Sequence, residues 1–323
     1  MINAYLDEQD RLLCTRADTN NLEGVVWIDL FEPTNEEEAI LEQTLGIDIP
    51  TREEMDEIEI SSRLYVEDGA VFMTATLPAN MDSDEPILAP VTFVLVNHRL
   101  LTVRYHEPRA FKTLPARASK VSMGCHDGES VLLALLEAQV DRMADVLERS
   151  AHDTAAISRA IFQVKGSRRR RSKGLQSIIQ EIARQGDLTS NLRECLTSLE
   201  RMTAFLTQAI QPLRSEKEAK ARIKTIARDI KSLADHADSL TQKLTFLLDA
   251  TLGLISIQQN DIIKFFSVAA AVFLPPTLVA SVYGMNFHHM PELDWIYGYP
   301  IALGVMVLSA VIPYLLIRRR GLF

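Results

Sequence analysis

The chain has 323 residues, of which 24% are charged and 47% hydrophobic, and its mean hydropathy of +0.03 is typical of a soluble protein with one or two domains. Its formal net charge of −9 argues against nucleic-acid binding, which needs excess positive charge. Two long apolar runs near the C-terminus depart from this average composition and indicate a membrane protein with two spans.

The first part, residues 1–128, is predicted to be an α/β domain. Gly24–Leu30 is rich in strand-forming residues, and Arg63–Leu77 predicts two strands joined at Asp68-Gly69, a strong hairpin dipeptide. A second strand pair, Val91–Val96 and Leu100–Tyr105, is predicted to turn at Asn97-His98. Between these strands, the acidic run after Pro33 predicts the start of a helix.

Residues 129–212 are predicted to form a helical hairpin. Its two amphipathic segments, Ser130–Val164 and Leu175–Gln211, are joined by the basic run Lys165–Gly174, which contains Arg168–Arg171. A solvated tip is the favoured interpretation of this run. The alternative is contact with anionic lipid headgroups or an acidic partner.

One helix is predicted from Leu213 to Tyr283, because Pro212 is followed by no other proline until Pro275. Such a helix is roughly 105 Å long, at about 1.5 Å per residue, which is too long for a compact monomer. We expect its first part, 213–264, to be a stalk in a symmetric bundle of identical chains.

The two apolar runs are predicted to be transmembrane helices, here called the first span (265–283) and the second span (298–317). Each has about the 20 residues that cross a hydrocarbon core of about 30 Å. They are separated by the outer loop (284–297) and followed by a basic tail (318–323). The predicted fold class is therefore an N-terminal α/β domain, a long stalk helix and two C-terminal transmembrane helices.

The distribution of basic residues predicts that both termini are cytoplasmic. Lys264 precedes the first span and Arg318–Arg320 follow the second, whereas the outer loop has neither lysine nor arginine. The N-terminus has no basic start or apolar core, so we expect no signal peptide. The three cysteines then lie in a reducing compartment and are interpreted as structural thiols: Cys14, Cys125 and Cys195.

Small and polar residues follow one face of the long helix, and we call this row the polar stripe. In steps of three and four residues it comprises Asp249, Gly253, Ser256, Asn260, Ile263, Ser267, Ala270, Leu274, Thr277 and Ser281. Small residues also occur at dry contacts between membrane helices. The second span, however, has Ser309 as its polar side chain and is predicted to face lipid, so the stripe is predicted to line a pore.

The outer loop carries a motif that resembles the CorA family of divalent-cation transport proteins. The family's Gly-Met-Asn signature is present here as Gly284, Met285 and Asn286. The residues around it also match the family: Tyr283, Phe287 and the stretch Met290–Leu293. The likeness covers both spans, the long helix and the basic tail. The resemblance implies a homopentamer in the plasma (inner) membrane that transports Mg²⁺, with Co²⁺ and Ni²⁺ as poorer substrates, and that has no cofactor beyond these ions.

The resemblance also implies roles for particular residues. Gly284, Met285 and Asn286 match the selectivity filter, and Asn260 matches a pore-lining asparagine. Asp249 matches an acidic position at the cytoplasmic pore mouth, where a ring of carboxylates would bind regulatory Mg²⁺. Asp229, Asp235 and Asp238 are candidates for the family's other regulatory carboxylates. Ile263, Phe266 and Leu274 resemble its apolar gate, because narrow apolar rings exclude water; coiled-coil packing is the alternative for them.

Ion chemistry gives these expectations a mechanism. Mg²⁺ loses water reluctantly and prefers octahedral oxygen ligands, so a ring of Asn286 amide oxygens is expected to hold the ion through its water molecules. Glu292 and Asp294 of the outer loop are expected to attract cations. The chain has no Walker A motif, which favours influx driven by the membrane potential.

Three alternatives remain at this stage. His288 and His289 follow the motif, and imidazole favours zinc, cobalt or nickel, so a zinc transporter of the related ZntB-like branch is the nearest. A membrane-anchored oligomeric scaffold or sensor would explain the stalk but not the polar stripe. An enzyme is disfavoured: Cys125-His126-Asp127 invites a catalytic interpretation, but sequence neighbours seldom have triad geometry.

Overall fold

In a computed structural model of the chain, residues 1–8, 11–16, 22–83, 86–162, 168–209, 217–285 and 295–319 are described. They form two compact units. The first, Met1–Leu248, is called the sheet unit, and the second, Asp249–Phe323, the span unit.

The sheet unit is built on one seven-stranded sheet in the order β2-β1-β3-β7-β6-β5-β4. Neighbouring strands are antiparallel except β3 and β7, which are parallel. The strands are β1 (Ile2–Glu8), β2 (Arg11–Arg16), β3 (Val25–Phe31), β4 (Leu64–Glu67), β5 (Ala70–Ala79), β6 (Ile87–Val96) and β7 (Arg99–Arg104).

The sheet unit also contains helices. In chain order the first of them are α1 (Asn35–Leu45), α2 (Arg52–Met55), α3 (Ile60–Arg63), α4 (Arg109–Ala118) and α5 (Gly128–Phe162). Helix α6 (Arg168–Ala209) and helix α7 (Lys217–Tyr283) follow, and α8 (Gly298–Arg319) belongs to the span unit. Helix α7 is continuous through the boundary between the two units.

Both hairpins predicted from the sequence are confirmed. The β4–β5 turn is at Asp68-Gly69, with φ of 49° and 77°, and the β6–β7 turn is at Asn97-His98, with φ of 49° and 64°. The helix expected after Pro33 is α1, whose Thr34 and Glu37 form a reciprocal capping box. Turn and capping signals are local, which is why the sequence is sufficient to find them.

Several elements of the sheet unit were not predicted. Strands β1 and β2 form an additional antiparallel hairpin at one edge of the sheet. Helix α4 contains Pro115, and proline normally argues against a helix interior. Helix α6 begins at Arg168 instead of near Leu175, because arginine and lysine are good helix formers and one internal glycine costs only about 1 kcal/mol.

The sheet separates two apolar cores. On one face, α1 and α2 cover β-strand residues such as Ile28 and Phe72. On the other face, Trp27 and Phe93 pack in one cluster with residues of α4, α5, α6 and α7, including Ile230. Tyr5 stacks on Trp27 with ring centroids 4.3 Å apart, so the edge hairpin joins this second core.

A buried ion pair connects β3 to β7 inside the sheet unit. Asp29 Oδ2 accepts from Arg104 Nη2 at 2.9 Å, and Asp29 Oδ1 accepts from Arg104 Nε at 3.0 Å and from Thr102 Oγ1 at 2.9 Å. The guanidinium also lies over the rings of Phe31 and Phe111. Because both charges are satisfied on several sides, the pair can exist away from water.

The span unit has the opposite distribution of apolar side chains. The C-terminal part of α7 and helix α8 are each long and apolar enough to cross a membrane, and most of their large apolar side chains are exposed. Phe273, Leu274 and Leu278 are each more than 60% exposed. Such surfaces are stable in hydrocarbon and not in water.

Candidate functional site: the polar stripe of the long helix

The polar stripe lies on the unpacked side of helix α7. All ten of its residues, from Asp249 to Ser281, are exposed in the single chain. A second row on α7 is partly covered instead, and it contains Leu254, Gln258, Asp261, Val268, Val272, Pro276, Val279 and Tyr283. At about 100° per residue, the two rows lie on nearly opposite sides of the helix. The stripe is therefore available for water, ions or other copies of the chain.

Helix α8 has its own less exposed row, formed by Ala302, Met306, Ser309, Pro313 and Ile317. Ser309 Oγ donates to the backbone oxygen of Met306 at 2.8 Å, so this hydroxyl is satisfied within its own helix. The polar side chain of the second span consequently does not interrupt the exposed apolar surface of α8.

Thr277 gives the stripe a polar group that is already oriented. Its Oγ1 lies 2.9 Å from the backbone oxygen of Phe273 and 2.8 Å from that of Leu274. The hydroxyl proton is directed to the helix backbone, which leaves oxygen lone pairs for an ion or its water. Pro275 and Pro276 precede it within the helix and bring no backbone N–H of their own.

The predicted gate residues are among the most exposed apolar side chains of the span unit. Ile263 is 62% exposed, and Phe266 and Leu274 are each 66% exposed. Ile263 and Leu274 lie on the polar stripe itself, and Phe266 lies beside it. A single chain therefore presents these residues in a row but forms no constriction, which several copies would have to build.

The structure describes two residues of the predicted filter. Gly284 N donates to Ala280 O at 3.0 Å and ends helix α7, and Met285 N donates to Val282 O at 3.3 Å. A Cβ at Gly284 would lie 3.2 Å from the Ala280 oxygen, which is tighter than ordinary van der Waals contact. Asn286, Glu292, Asp294, His288 and His289 lie outside the described residues.

The carboxylates named as regulatory candidates are in different environments. Asp249 is exposed on the polar stripe. Asp238 Oδ1 accepts from Arg193 Nε at 2.8 Å, and Asp229 lies 3.7 Å from Arg228, so both already have a cationic neighbour. Among the described residues, no group of three or more His, Cys, Asp or Glu side chains is arranged to hold a metal ion.

The Cys125-His126-Asp127 sequence has structural contacts in place of triad geometry. Burial raises the pKa of the Cys125 thiol to about 11, and His126 Nδ1 lies 3.2 Å from Asp7 Oδ2. Asp127 Oδ1 accepts from Ser130 N at 2.8 Å and so caps helix α5. Cys195 is also buried, and burial raises its pKa to about 12, whereas Cys14 is exposed.

The comparisons with known proteins agree with this arrangement. The family profile described as "CorA-like Mg2+ transporter protein" matches residues 23–319. The magnesium transport protein CorA of Haemophilus influenzae (strain 86-028NP) is 37% identical over 322 residues, which cover 99% of each chain. The CorA magnesium transporter structure from Methanocaldococcus jannaschii superposes with a TM-score of 0.78 at 19% identity, covering 100% of this chain and 99% of that one.

A more distant similarity concerns the fold alone. The cytoplasmic domain of ZntB from Vibrio parahaemolyticus superposes with a TM-score of 0.57 at 9% identity, covering 79% of this chain and 97% of that domain. By contrast, the family profile and the Haemophilus relative both extend through the polar stripe and the two spans. The chain therefore belongs to the CorA-like Mg²⁺ transporter family.

Proposed function

We propose that this chain forms a homo-oligomeric membrane pore, a pentamer by its likeness to the family, through which Mg²⁺ enters the cell. Co²⁺ and Ni²⁺ are poorer substrates. The observation that carries the proposal is the exposure of the whole polar stripe on the side of α7 opposite its packed row. A relative that is 37% identical over nearly the full length is named a magnesium transport protein, which supports Mg²⁺ as the ion.

The pore is built by placing the stripes of several α7 helices around one axis. Asn260, Ser267, Thr277 and Ser281 then offer oxygen atoms to a hydrated ion, which suits Mg²⁺ because it keeps most of its water. Asn286 at the outer end holds the ion through that water. Ile263, Phe266 and Leu274 supply apolar rings that interrupt conduction when they are narrow.

Transport is inward and needs no nucleotide. The basic residues that flank the two spans support a topology with both termini inside, in the plasma (inner) membrane. A divalent ion that moves inward then gains roughly 4.6 kcal/mol per 100 mV of inside-negative potential, at about 2.3 kcal/mol for each charge.

Cytoplasmic Mg²⁺ regulates the pore through Asp249. A ring of aspartates at one level of the bundle repels itself unless cations lie between the carboxylates. Mg²⁺ binding therefore favours the closed bundle, and loss of Mg²⁺ favours opening. The contribution of Asp249 is separable from the filter because Asp249 begins the polar stripe, whereas Gly284 comes after its last residue, Ser281.

The test is Mg²⁺ and Zn²⁺ influx into proteoliposomes that contain an indicator dye, under an inside-negative potential, with and without a pH gradient. The native chain is compared with Asn286→Ala, with Thr277→Val on the polar stripe, and with Ser309→Ala as a matched hydroxyl control on α8. We expect potential-driven Mg²⁺ influx that is lost in Asn286→Ala, reduced in Thr277→Val and unchanged in Ser309→Ala.

Other outcomes would reassign the function. Zn²⁺ influx that exceeds Mg²⁺ influx, needs the pH gradient and is lost on changing both His288 and His289 to Ala would identify a zinc transporter. Absence of flux for either ion, with the oligomer intact, would favour a membrane-anchored scaffold. Equal loss in Thr277→Val and Ser309→Ala would remove the polar stripe as the conduction path.

A further inference from the structure

Three arginines of the sheet unit converge on one aspartate in the turn after β5. Asp82 Oδ1 lies 2.6 Å from Arg149 Nη2, and Asp82 Oδ2 contacts Arg142 Nη2 and lies 3.4 Å from Arg109 Nη1. Arg142 and Arg149 are two turns apart on α5, whereas Arg109 is in the first turn of α4. Two helices thus direct positive charge at the same point.

Asp82, Arg109 and Arg142 also border a cavity of about 250 Å³, and Arg149 contacts Asp82 from beside it. Its lining includes Asp82, Arg109, Lys112 and Arg142, together with Glu107, which is paired with Lys112. The four basic side chains, Arg149 included, carry two more positive charges than Asp82 and Glu107 neutralise. This excess is local, because the whole chain has a net charge of −9.

One carboxylate is a poor match for three guanidinium groups. Each guanidinium has five N–H donors, and a carboxylate offers about four lone-pair positions, so Asp82 cannot accept from most of them. A phosphate group has three or more oxygens and more negative charge, and arginine binds it in a bidentate manner. A divalent cation would be repelled by the same four side chains.

We propose that this cavity, here called the arginine pocket, binds a phosphate group, either inorganic phosphate or the terminal phosphate of a nucleotide. Asp82 acts as an internal competitor that occupies the guanidinium groups when the ligand is absent. The side chain of Asp82 is half-exposed at 49%, so it can move out as the ligand enters. Arg142 is only 16% exposed and forms the floor of the pocket.

The competitor role makes a prediction that a purely structural ion-pair cluster does not make: removing the charge of Asp82 tightens anion binding. The test is isothermal titration of the purified full-length protein in detergent, at low ionic strength and without Mg²⁺, with inorganic phosphate and with ATP. The variants are Asp82→Asn, Arg149→Gln, and Asp238→Asn, which removes the same charge from a separate arginine pair.

We expect saturable binding to the native protein, binding about tenfold tighter in Asp82→Asn and about tenfold weaker in Arg149→Gln, and no change in Asp238→Asn. Thermal melting of each protein in a Trp295→Phe background, followed by Trp27 fluorescence, separates loss of the pocket from loss of the fold. ATP binding at least about tenfold tighter than phosphate would identify a nucleotide, and equal affinities would identify free phosphate.

Two results would overturn the proposal. One is the absence of saturable binding of either anion to both the native protein and Asp82→Asn. The other is the same affinity in all four proteins, which would mean that the anions bind elsewhere. Because the measurement does not use ion flux, its outcome is independent of the proposed transport function.

Discussion

The sheet unit and the span unit place their apolar side chains in opposite ways. In the sheet unit, large residues such as Trp27, Phe93 and Leu100 are at most 1% exposed. In the described part of the span unit, Ala302 is the one buried apolar residue, while Phe273 and Leu278 are exposed. The sheet unit therefore completes its core within one chain. The span unit instead exposes its large apolar side chains, which lipid or further copies of the chain can cover.

The largest expected effect tests the self-contained core of the sheet unit. Asp29→Ala leaves Arg104 as an unpaired buried cation, so we expect the free energy of unfolding of this unit to fall by about 3–5 kcal/mol. Chemical denaturation in detergent, followed by Trp27 fluorescence in a Trp295→Phe background, measures it. Trp27 is then the sole tryptophan, since the chain has two.

The control for that change is Asp238→Ala, which removes a partner from the exposed Arg193 pair. We expect it to cost about 0–1 kcal/mol, because solvent screens exposed pairs. Equal losses in the two variants would mean that the buried pair contributes no more than a surface pair.

A matched pair of glycines tests packing inside the sheet unit. A Cβ at Gly128 would lie 2.3 Å from the Arg99 carbonyl carbon, whereas a Cβ at Gly186 meets nothing within 4 Å. We expect Gly128→Ala to destabilise the unit by about 1–3 kcal/mol through displacement of backbone. Gly186→Ala should stabilise it by up to about 1 kcal/mol through helix propensity. Denaturation monitored by Trp27 checks both, and a stable Gly128→Ala protein would contradict the close approach of α5 to β7.

A glycine-to-alanine substitution at Gly253 compares the span unit with the sheet unit. A Cβ at Gly253 also meets nothing within 4 Å in one chain, as at Gly186. Because Gly253 lies on the polar stripe, where small residues permit close approach of helices, we expect Gly253→Ala to weaken the oligomer by about 1 kcal/mol. Native mass spectrometry against dilution measures this. Gly186→Ala is the control and should leave assembly unchanged. Unchanged assembly in Gly253→Ala as well would place the contacts between copies away from Gly253.

The smallest expected effect is a pH dependence of the sheet unit. His106 is buried; burial lowers its pKa, and the nearby Arg104 charge lowers it further. The unfolded chain then binds a proton that the folded chain does not, so stability is full above about pH 6.5 and falls below it by at most about 1.4 kcal/mol per pH unit. Denaturation midpoints between pH 7 and pH 6, a range in which the loss stays below about 1 kcal/mol, test this. His106→Gln should show a shallower decline, and identical slopes would show that another group is responsible.

Which parts of the fold can be predicted from the sequence depends on whether the sequence signal for them is local. The Asp68-Gly69 turn and the helix start after Pro33 depend on a few neighbouring residues, and both were predicted correctly. The edge hairpin of β1 and β2 was missed because its apolar residues become meaningful only against Trp27, which belongs to another strand. Helix α4 was missed because tertiary packing of Phe111 and Leu114 outweighs the local effect of Pro115.

For the candidate site, periodicity identified the polar stripe, and the structure adds that its side is the unpacked one. The roles of Asn286, Ile263 and Asp249 stay predictions, since they depend on several copies of the chain. The arginine pocket could not be predicted, because Asp82, Arg109 and Arg142 are distant in sequence and carry no shared motif.

The sequence by itself determined the two spans, the Gly-Met-Asn signature, the continuous long helix and the periodic stripe. Each of these can be recognised within one continuous segment, from its composition, its motif or its helical period. Only the tertiary structure decided the strand order, the burial of Asp29 with Arg104, and the convergence of three arginines on Asp82. These features join residues far apart along the chain, and their energies depend on burial and distance, which no local pattern encodes.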